Sequence, residues 1–170
     1  DTTQLRTRAD KCDGGYVVNG QKVWTSRAAH SDLMLLLART TPADQVKKRV
    51  DGISVFLIDM NEAKKNGMEI VPIDAMVNHN TTEIFFDDVW IPESSLIGEE
   101  GRGFRYILDG MNAERCLVSA EAIGNARYFI DKAVAHASSR SGHGAPFAAR
   151  QSVQAQIADA FARLEVADLM

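Results

Sequence analysis

The chain has 170 residues, 45% hydrophobic and 25% charged, which is enough apolar mass for one or two small cores and too little polar bias for a disordered tail. Its 19 Lys and Arg stand against 23 Asp and Glu, a formal charge of −4; no stretch gathers basic residues along one face, so the footprint of a nucleic-acid binder is missing. The longest apolar run, residues 33–38, is far below the ~20 residues that span a bilayer.

The first residue is Asp1 rather than Met, and no basic stretch followed by an apolar one opens the chain. Nothing there reads as a secretory signal, and the start of the protein is expected to be missing. Two cysteines, Cys12 and Cys116, make no disulfide framework and are expected as reduced thiols. The histidines His30, His79, His136 and His143 show no His-Glu-x-x-His or Cys-x-x-Cys spacing, so no metal is expected.

Residues 5–11 alternate in polarity, and Asp13-Gly14-Gly15 follows as a turn. Tyr16-Val17-Val18 and Gln21-Lys22-Val23-Trp24 flank Asn19-Gly20, which reads as a hairpin. Strands are expected over residues 33–39, 53–58, 68–71 and 82–89 with Ile91, separated by a polar loop at 40–51 and a turn at Gly67. Six or more short antiparallel strands suggest a small barrel or sandwich. Composition then changes: residues 1–98 hold 24 Val, Ile or Thr and 7 Ala, residues 99–170 hold 8 and 15. β-Branched side chains suit a pleated sheet and Ala a helix, so a boundary is expected near 98, with a β domain over 1–98 and a helical one over 99–170. Phe104, Ile107, Leu108, Met111, Val118, Ala122, Phe129 and Ala133 recur at helical spacing for about nine turns. A second helix is expected to begin near Pro146 and continue through Val153, Ile157, Phe161 and Leu164.

Glu114 lies three residues after Met111 and four before Val118, on the apolar stripe of the long helix. The position suggests a desolvated carboxylate, suited to act as a base toward a carbon acid. A structural ion pair with Arg115, or a side chain facing an open gap, is the other reading. Gly98, Gly101 and Gly103 lack the Lys-Ser/Thr of a phosphate loop and read as a tight link into the helix. The run Lys47-Lys48-Arg49 reads first as a solvated loop and second as a contact for phosphates.

Four segments in order, Tyr16-Val17-Val18-Asn19-Gly20-Gln21-Lys22-Val23-Trp24-Thr25-Ser26, Thr82-Glu83-Ile84-Phe85-Phe86-Asp87-Asp88-Val89-Trp90-Ile91-Pro92, Gly98-Glu99-Glu100-Gly101-Arg102-Gly103-Phe104 and Asn112-Ala113-Glu114-Arg115, resemble the acyl-CoA dehydrogenases along essentially the whole chain. The resemblance implies an α+β fold, a small antiparallel β-barrel followed by long helices of a helical bundle. It also implies an incomplete piece without the family's N-terminal helices, its upstream Thr-Glu-x-x-x-Gly-Ser flavin segment and its last bundle helices.

By the same resemblance Trp24, Thr25 and Ser26 stand at the family's flavin motif, where the indole packs on the ring and polar groups reach its N5 edge; a Trp closing the barrel end is the structural alternative. Arg140 matches the arginine of an Arg-x-x-Phe-Gly motif that reaches the flavin pyrophosphate of a neighbouring subunit, with His143 in place of the aromatic. Gln151 keeps the spacing of a further cofactor contact. Solvated surface roles are the alternatives for Arg140 and Gln151. Asn112 and Arg115 match the lining of the thioester pocket, and Glu114 the base of the isovaleryl and long-chain branches; other members take the base from a loop beyond Met170.

What is implied is an FAD-dependent α,β-desaturation of an acyl-CoA thioester. Electron-transfer flavoprotein or a similar acceptor, a homo-oligomer, and a bacterial cytoplasm or a mitochondrial matrix go with it. The chain alone is expected to bind FAD weakly, to be inactive and to self-associate through uncovered helix faces. A purely structural or dimerisation module, and an oxidase or hydroxylase on the same scaffold, are the alternatives.

Overall fold

Gly14, at φ +73°, turns the chain between β1 (Arg8–Cys12) and β2 (Gly15–Ser26) and starts the sheet that dominates the first half of the molecule. The computed structural model describes residues 2–77, 80–142 and 144–170, so His79 and His143 lie outside the described residues. The chain divides into two compact units, Asp1–Asp109 and Gly110–Met170.

In the first unit β1 and β2 are followed by β3 (Leu33–Arg39), β4 (Ile53–Asp59), helix α1 (Met60–Lys65), β5 (Met68–Pro72), β6 (Thr81–Pro92) and β7 (Leu96–Ile97). The seven strands form one sheet in the order β5-β6-β2-β1-β3-β4-β7. The α+β class is as expected, but the sheet is not closed into a barrel. The terminal strands β5 and β7 are not paired with each other among the described residues, and a single parallel bridge, Arg8↔Arg39, joins β1 to β3. Closure needs a continuous ladder between the edges, and β7 supplies only two residues, both paired to β4.

The core lies on one face, where Tyr16 and Val18 of β2 meet Leu36, Phe56, Ile84, Phe86, Val89 and Ile91. Tyr16 is fully buried, its ring edge-on to Phe56 at 4.9 Å, and its hydroxyl donates to Glu100 Oε2 at 2.8 Å. Burial, followed by the bond to and the charge of Glu100, pushes the phenol up to about 12.

Asn19-Gly20 is not a hairpin. Both residues lie inside the continuous twelve-residue β2, where Gly20 takes φ +135° and a Cβ would sit 2.7 Å from Thr7 Cα. Glycine is there for close approach of the neighbouring chain, a use that shares its residue signature with a type I′ turn. Asn19 instead braces an irregularity on the opposite strand. Its Nδ2 donates to Asp88 Oδ1 at 2.8 Å, and its Oδ1 accepts from Asp88 N at 3.1 Å, holding Asp88 at φ +48°.

Helix α1 had no counterpart in the expected strand pattern. Its cap is nevertheless local, since Asp59 Oδ1 accepts from Asn61 N at 2.9 Å and Glu62 N at 3.1 Å. The glycine link behaves as a tight connection: Gly101 N donates to Ser54 Oγ at 2.8 Å, and a Cβ on Gly103 would meet Ser54 C at 2.5 Å.

Helix α2 (Gly103–Ser139) runs 37 residues into the second unit. Two short paired strands follow, β8 (Ser141–Gly142) and β9 (Ala145–Pro146), then a 3₁₀ turn (Phe147–Ala149) and α3 (Gln151–Asp168). The second helix thus begins after Pro146, whose φ −59° and ψ 147° serve the turn's entry rather than a first α-helical turn. Arg127 of α2 ties the end of α3, with Nη2 2.9 Å from Asp168 Oδ2 and 3.7 Å from Glu165 Oε1.

Two outcomes follow from this packing. Gly20→Ala, forced into positive φ against Thr7, lowers the free energy of unfolding in urea by more than about 1 kcal/mol. Tyr16 has a higher pKa folded than unfolded, so its contribution is full below pH 10 and is lost as pH rises from 10 through about 12. Tyr16→Phe flattens that alkaline fall in stability, as measured by denaturant titrations at pH 9 and 12.

Candidate functional site

Pairing of β2 with β6 contains two irregularities, and the second positions the first candidate segment. Lys22 pairs with Ile84 and Thr25 with Thr82, so β2 carries one extra residue across Val23 and Trp24. Such a bulge re-aims side chains. Trp24 takes φ +63°, rare for a bulky residue, and its side chain is 68% exposed. The indole therefore does not close the end of the sheet. Thr25 and Ser26 return to the ladder opposite Thr82 and Thr81, and Thr82 Oγ1 donates to Thr25 O at 2.9 Å. Arg27, at φ +62°, ends the segment, its N–H donating to Asn80 O at 2.9 Å.

An exposed flat apolar face on a braced, strained backbone, with two hydroxyl side chains next to it, fits a planar conjugated ring that carries hydrogen-bonding atoms along one edge. Lys22, two residues before the indole, is half-buried, and burial lowers its ammonium to about 8. The polarity pattern hides it, because a lysine on an otherwise core-facing register reads simply as the end of the buried face.

On α2, Asn112, Glu114 and Arg115 are all exposed. The expected desolvation of Glu114 is not present in this chain. Its stripe neighbours Leu117 and Val118 are themselves 68% and 60% exposed: helical periodicity sets which side chains share a face, whereas desolvation needs something packed on that face. Glu114 and Arg115 have no ion-pair partner among the described residues, so the ion-pair reading is not realised; side chains about 100° apart on a helix do not face each other. Arg115 lines a pocket of about 790 Å³ with Cys116, Ser119, Ile123 and Asp168. Both cysteines are free thiols.

Arg140 and Gln151 flank the turn between α2 and α3. Phe147 N donates to Arg140 O at 2.9 Å, closing the turn, and Gln151 opens α3, exposed. The aromatic against Arg140 is Phe147, with the guanidinium carbon 5.6 Å from its ring centroid and that of Arg150 at 4.6 Å. Sequence spacing missed Phe147 because the β8–β9 hairpin brings it back over Arg140. The Pro146-Phe147 pair after a Gly-rich stretch was the available signal. Among the described residues no three His, Cys, Asp or Glu side chains gather as a metal site, and no helix is long and apolar enough to cross a membrane.

If the role of Trp24 lies outside the fold, Trp24→Gly relieves the left-handed strain, worth roughly 1–2 kcal/mol, at the cost of little burial. The variant then unfolds in urea at the same or a higher denaturant concentration. A loss above about 2 kcal/mol would make the indole part of the core.

Residues 1–89 match the family model for the acyl-CoA dehydrogenase middle domain and residues 101–170 that for the acyl-CoA dehydrogenase C-terminal domain. An acyl-CoA dehydrogenase of Bacillus subtilis is 34% identical over 167 residues, 98% of this chain and 43% of the relative. The L-prolyl-[peptidyl-carrier protein] dehydrogenase of a Serratia species is 32% identical over 170 residues, all of this chain and 43% of the relative. Among solved structures, the FAD complex of PigA superposes with a TM-score of 0.84 at 31% identity, covering 99% of this chain and 43% of that one. The chain therefore spans less than half the length of these proteins. Two family models end to end, on a sheet followed by long helices, show that this chain belongs to the acyl-CoA dehydrogenase family.

Proposed function

We propose that this chain is the middle and early C-terminal part of an FAD-dependent dehydrogenase that introduces an α,β double bond into an acyl-CoA thioester. The observation that carries the reading is the exposed indole of Trp24 on its left-handed bulge, followed by Thr25 and Ser26. FAD, where bound, supplies the two-electron acceptor for the hydride leaving the β-carbon.

In this reading the indole face of Trp24 covers the flavin ring and excludes water from it, and the Thr25 and Ser26 groups hydrogen-bond its edge. Arg140 offers a planar fork to a pyrophosphate, and Gln151 an amide beside it. Asn112 and Arg115 hold the thioester end of the substrate, while a Glu114 carboxylate oxygen takes the α-proton. The stacked cations Arg140 and Arg150 over Phe147 support the pyrophosphate role, since the ring holds both guanidinium groups and no carboxylate pairs with either among the described residues.

The wider reading follows the family. The β domain is placed at 1–98 and the helical one at 99–170, the active protein is a homo-oligomer, and electrons pass to electron-transfer flavoprotein or a similar acceptor. A bacterial source places it in the cytoplasm and a eukaryotic one in the mitochondrial matrix. Uncovered apolar side chains on the helices, among them Leu117, Phe129 and Phe161, support association with further helices.

The test is Glu114→Gln in the FAD-loaded enzyme, with anaerobic bleaching of the flavin by acyl-CoA followed in stopped flow. With Glu114 as the base, flavin content and acyl-CoA affinity stay near wild type while the bleaching rate falls by roughly 10²–10⁴-fold. Bleaching at the wild-type rate transfers the proton to another carboxylate.

A further inference from the structure

We propose that the concavity built around Arg39 in the first unit is a binding site for a phosphomonoester oxyanion. Arg39 ends β3, where it pairs with Ile53 of β4, and it is only 8% exposed. A guanidinium taken out of water normally meets a carboxylate. Here its donors go to main-chain carbonyls. Nε donates to Leu5 O at 3.2 Å, and Nη2 to Thr3 O at 2.6 Å and Arg49 O at 2.9 Å. The remaining nitrogen, Nη1, is buried with no hydrogen-bond partner, and no carboxylate lies at ion-pair distance from Arg39 among the described residues.

Arg39 lines a pocket of about 540 Å³ whose wall also carries Arg6, Arg49 and Asp44. Arg6 and Arg49 are exposed and have no ion-pair partner among the described residues. Three guanidinium groups against one carboxylate leave a surplus of two positive charges at the wall, which a dianionic phosphomonoester balances and a single carboxylate does not. Three carbonyl bonds hold the Arg39 guanidinium rigid and leave its Nη1 unsatisfied in a residue of the pocket wall, so a positive charge is fixed there before a ligand arrives. Lys47 and Lys48, next to Arg49 in the sequence, add to the positive potential that draws such an anion in.

The site does not rest on the flavin reading, and its test is made on the 170-residue chain by calorimetric titration with inorganic phosphate against sodium chloride of equal ionic strength. Arg39 ties three backbone carbonyls, so its removal endangers the fold. The variants are therefore Arg6→Gln combined with Arg49→Gln, and Asp44→Asn, each checked for native circular dichroism. Saturable phosphate binding is expected, weakened roughly tenfold or more in the double variant and strengthened severalfold in Asp44→Asn. Binding no better than chloride, or undiminished in the double variant, overturns the proposal. Competition identifies the source: displacement of phosphate by coenzyme A but not by dephospho-coenzyme A assigns the site to the 3′-phosphate of a thioester carrier. Displacement by neither assigns it to a separate phosphate-bearing molecule.

Discussion

The pairing of β2 with β6 is the constraint on which the rest of the first unit depends. Twelve residues on each strand run antiparallel from Gly15↔Pro92 to Ser26↔Thr81, and their buried faces supply Tyr16, Val18, Ile84, Phe86, Val89 and Ile91 to the core. Strands this long accumulate twist, which works against packing one face along the whole ladder. Two bulges resolve the conflict. The first adds a residue to β6 at Asp87 and Asp88, and the second adds one to β2 at Val23 and Trp24, so the register lost at one is restored at the other. The same device that keeps the core face in register thereby places Trp24 outward in a left-handed conformation.

Burial and exposure are thus separated along one strand. The Gly15 end of β2 is anchored by Tyr16, whose buried hydroxyl reaches Glu100 and so holds the link toward α2 against the sheet. The Ser26 end carries the exposed indole and hydroxyls, flanked by the positive φ of Trp24 and of Arg27. Strained backbone is maintained only where the surroundings over-determine it, and here the Thr82 Oγ1 bond to Thr25 O and the Arg27 N bond to Asn80 O do so.

The second unit shows the opposite balance. Helices α2 and α3 line an apolar groove that includes Ile130, Val134, Val153, Ile157 and Phe161, but among the described residues of this unit only Ala137 and Leu164 are buried. Periodicity forms the helices, and the Arg127 pairings and the Phe147 turn set their mutual position. Glu114 sits on a helical face that is written for burial and is exposed in this chain, which is why its expected desolvation was legible as a pattern and not realised as an environment.

The strands at 33–39, 53–58, 68–71 and 82–89 with Ile91, the Asp13-Gly14-Gly15 turn, the glycine link and the two long helices could all be read from local periodicity and turn chemistry, because each depends on residues close in sequence. The cap at Asp59 was equally local and was overlooked. Other features needed the fold. Asn19-Gly20 looks like a turn until Thr7 is brought against it, since close approach and turn formation select the same residue. The left-handed Trp24, the pairing of Phe147 with Arg140, the open sheet and the buried Arg39 fork all arise from partners distant along the chain. The sequence by itself determined the family and most of the locally written elements, and it named the candidate residues. Tertiary structure alone decided which of those residues are buried, strained or exposed, because solvent exclusion and backbone strain belong to contacts between segments and to no segment on its own.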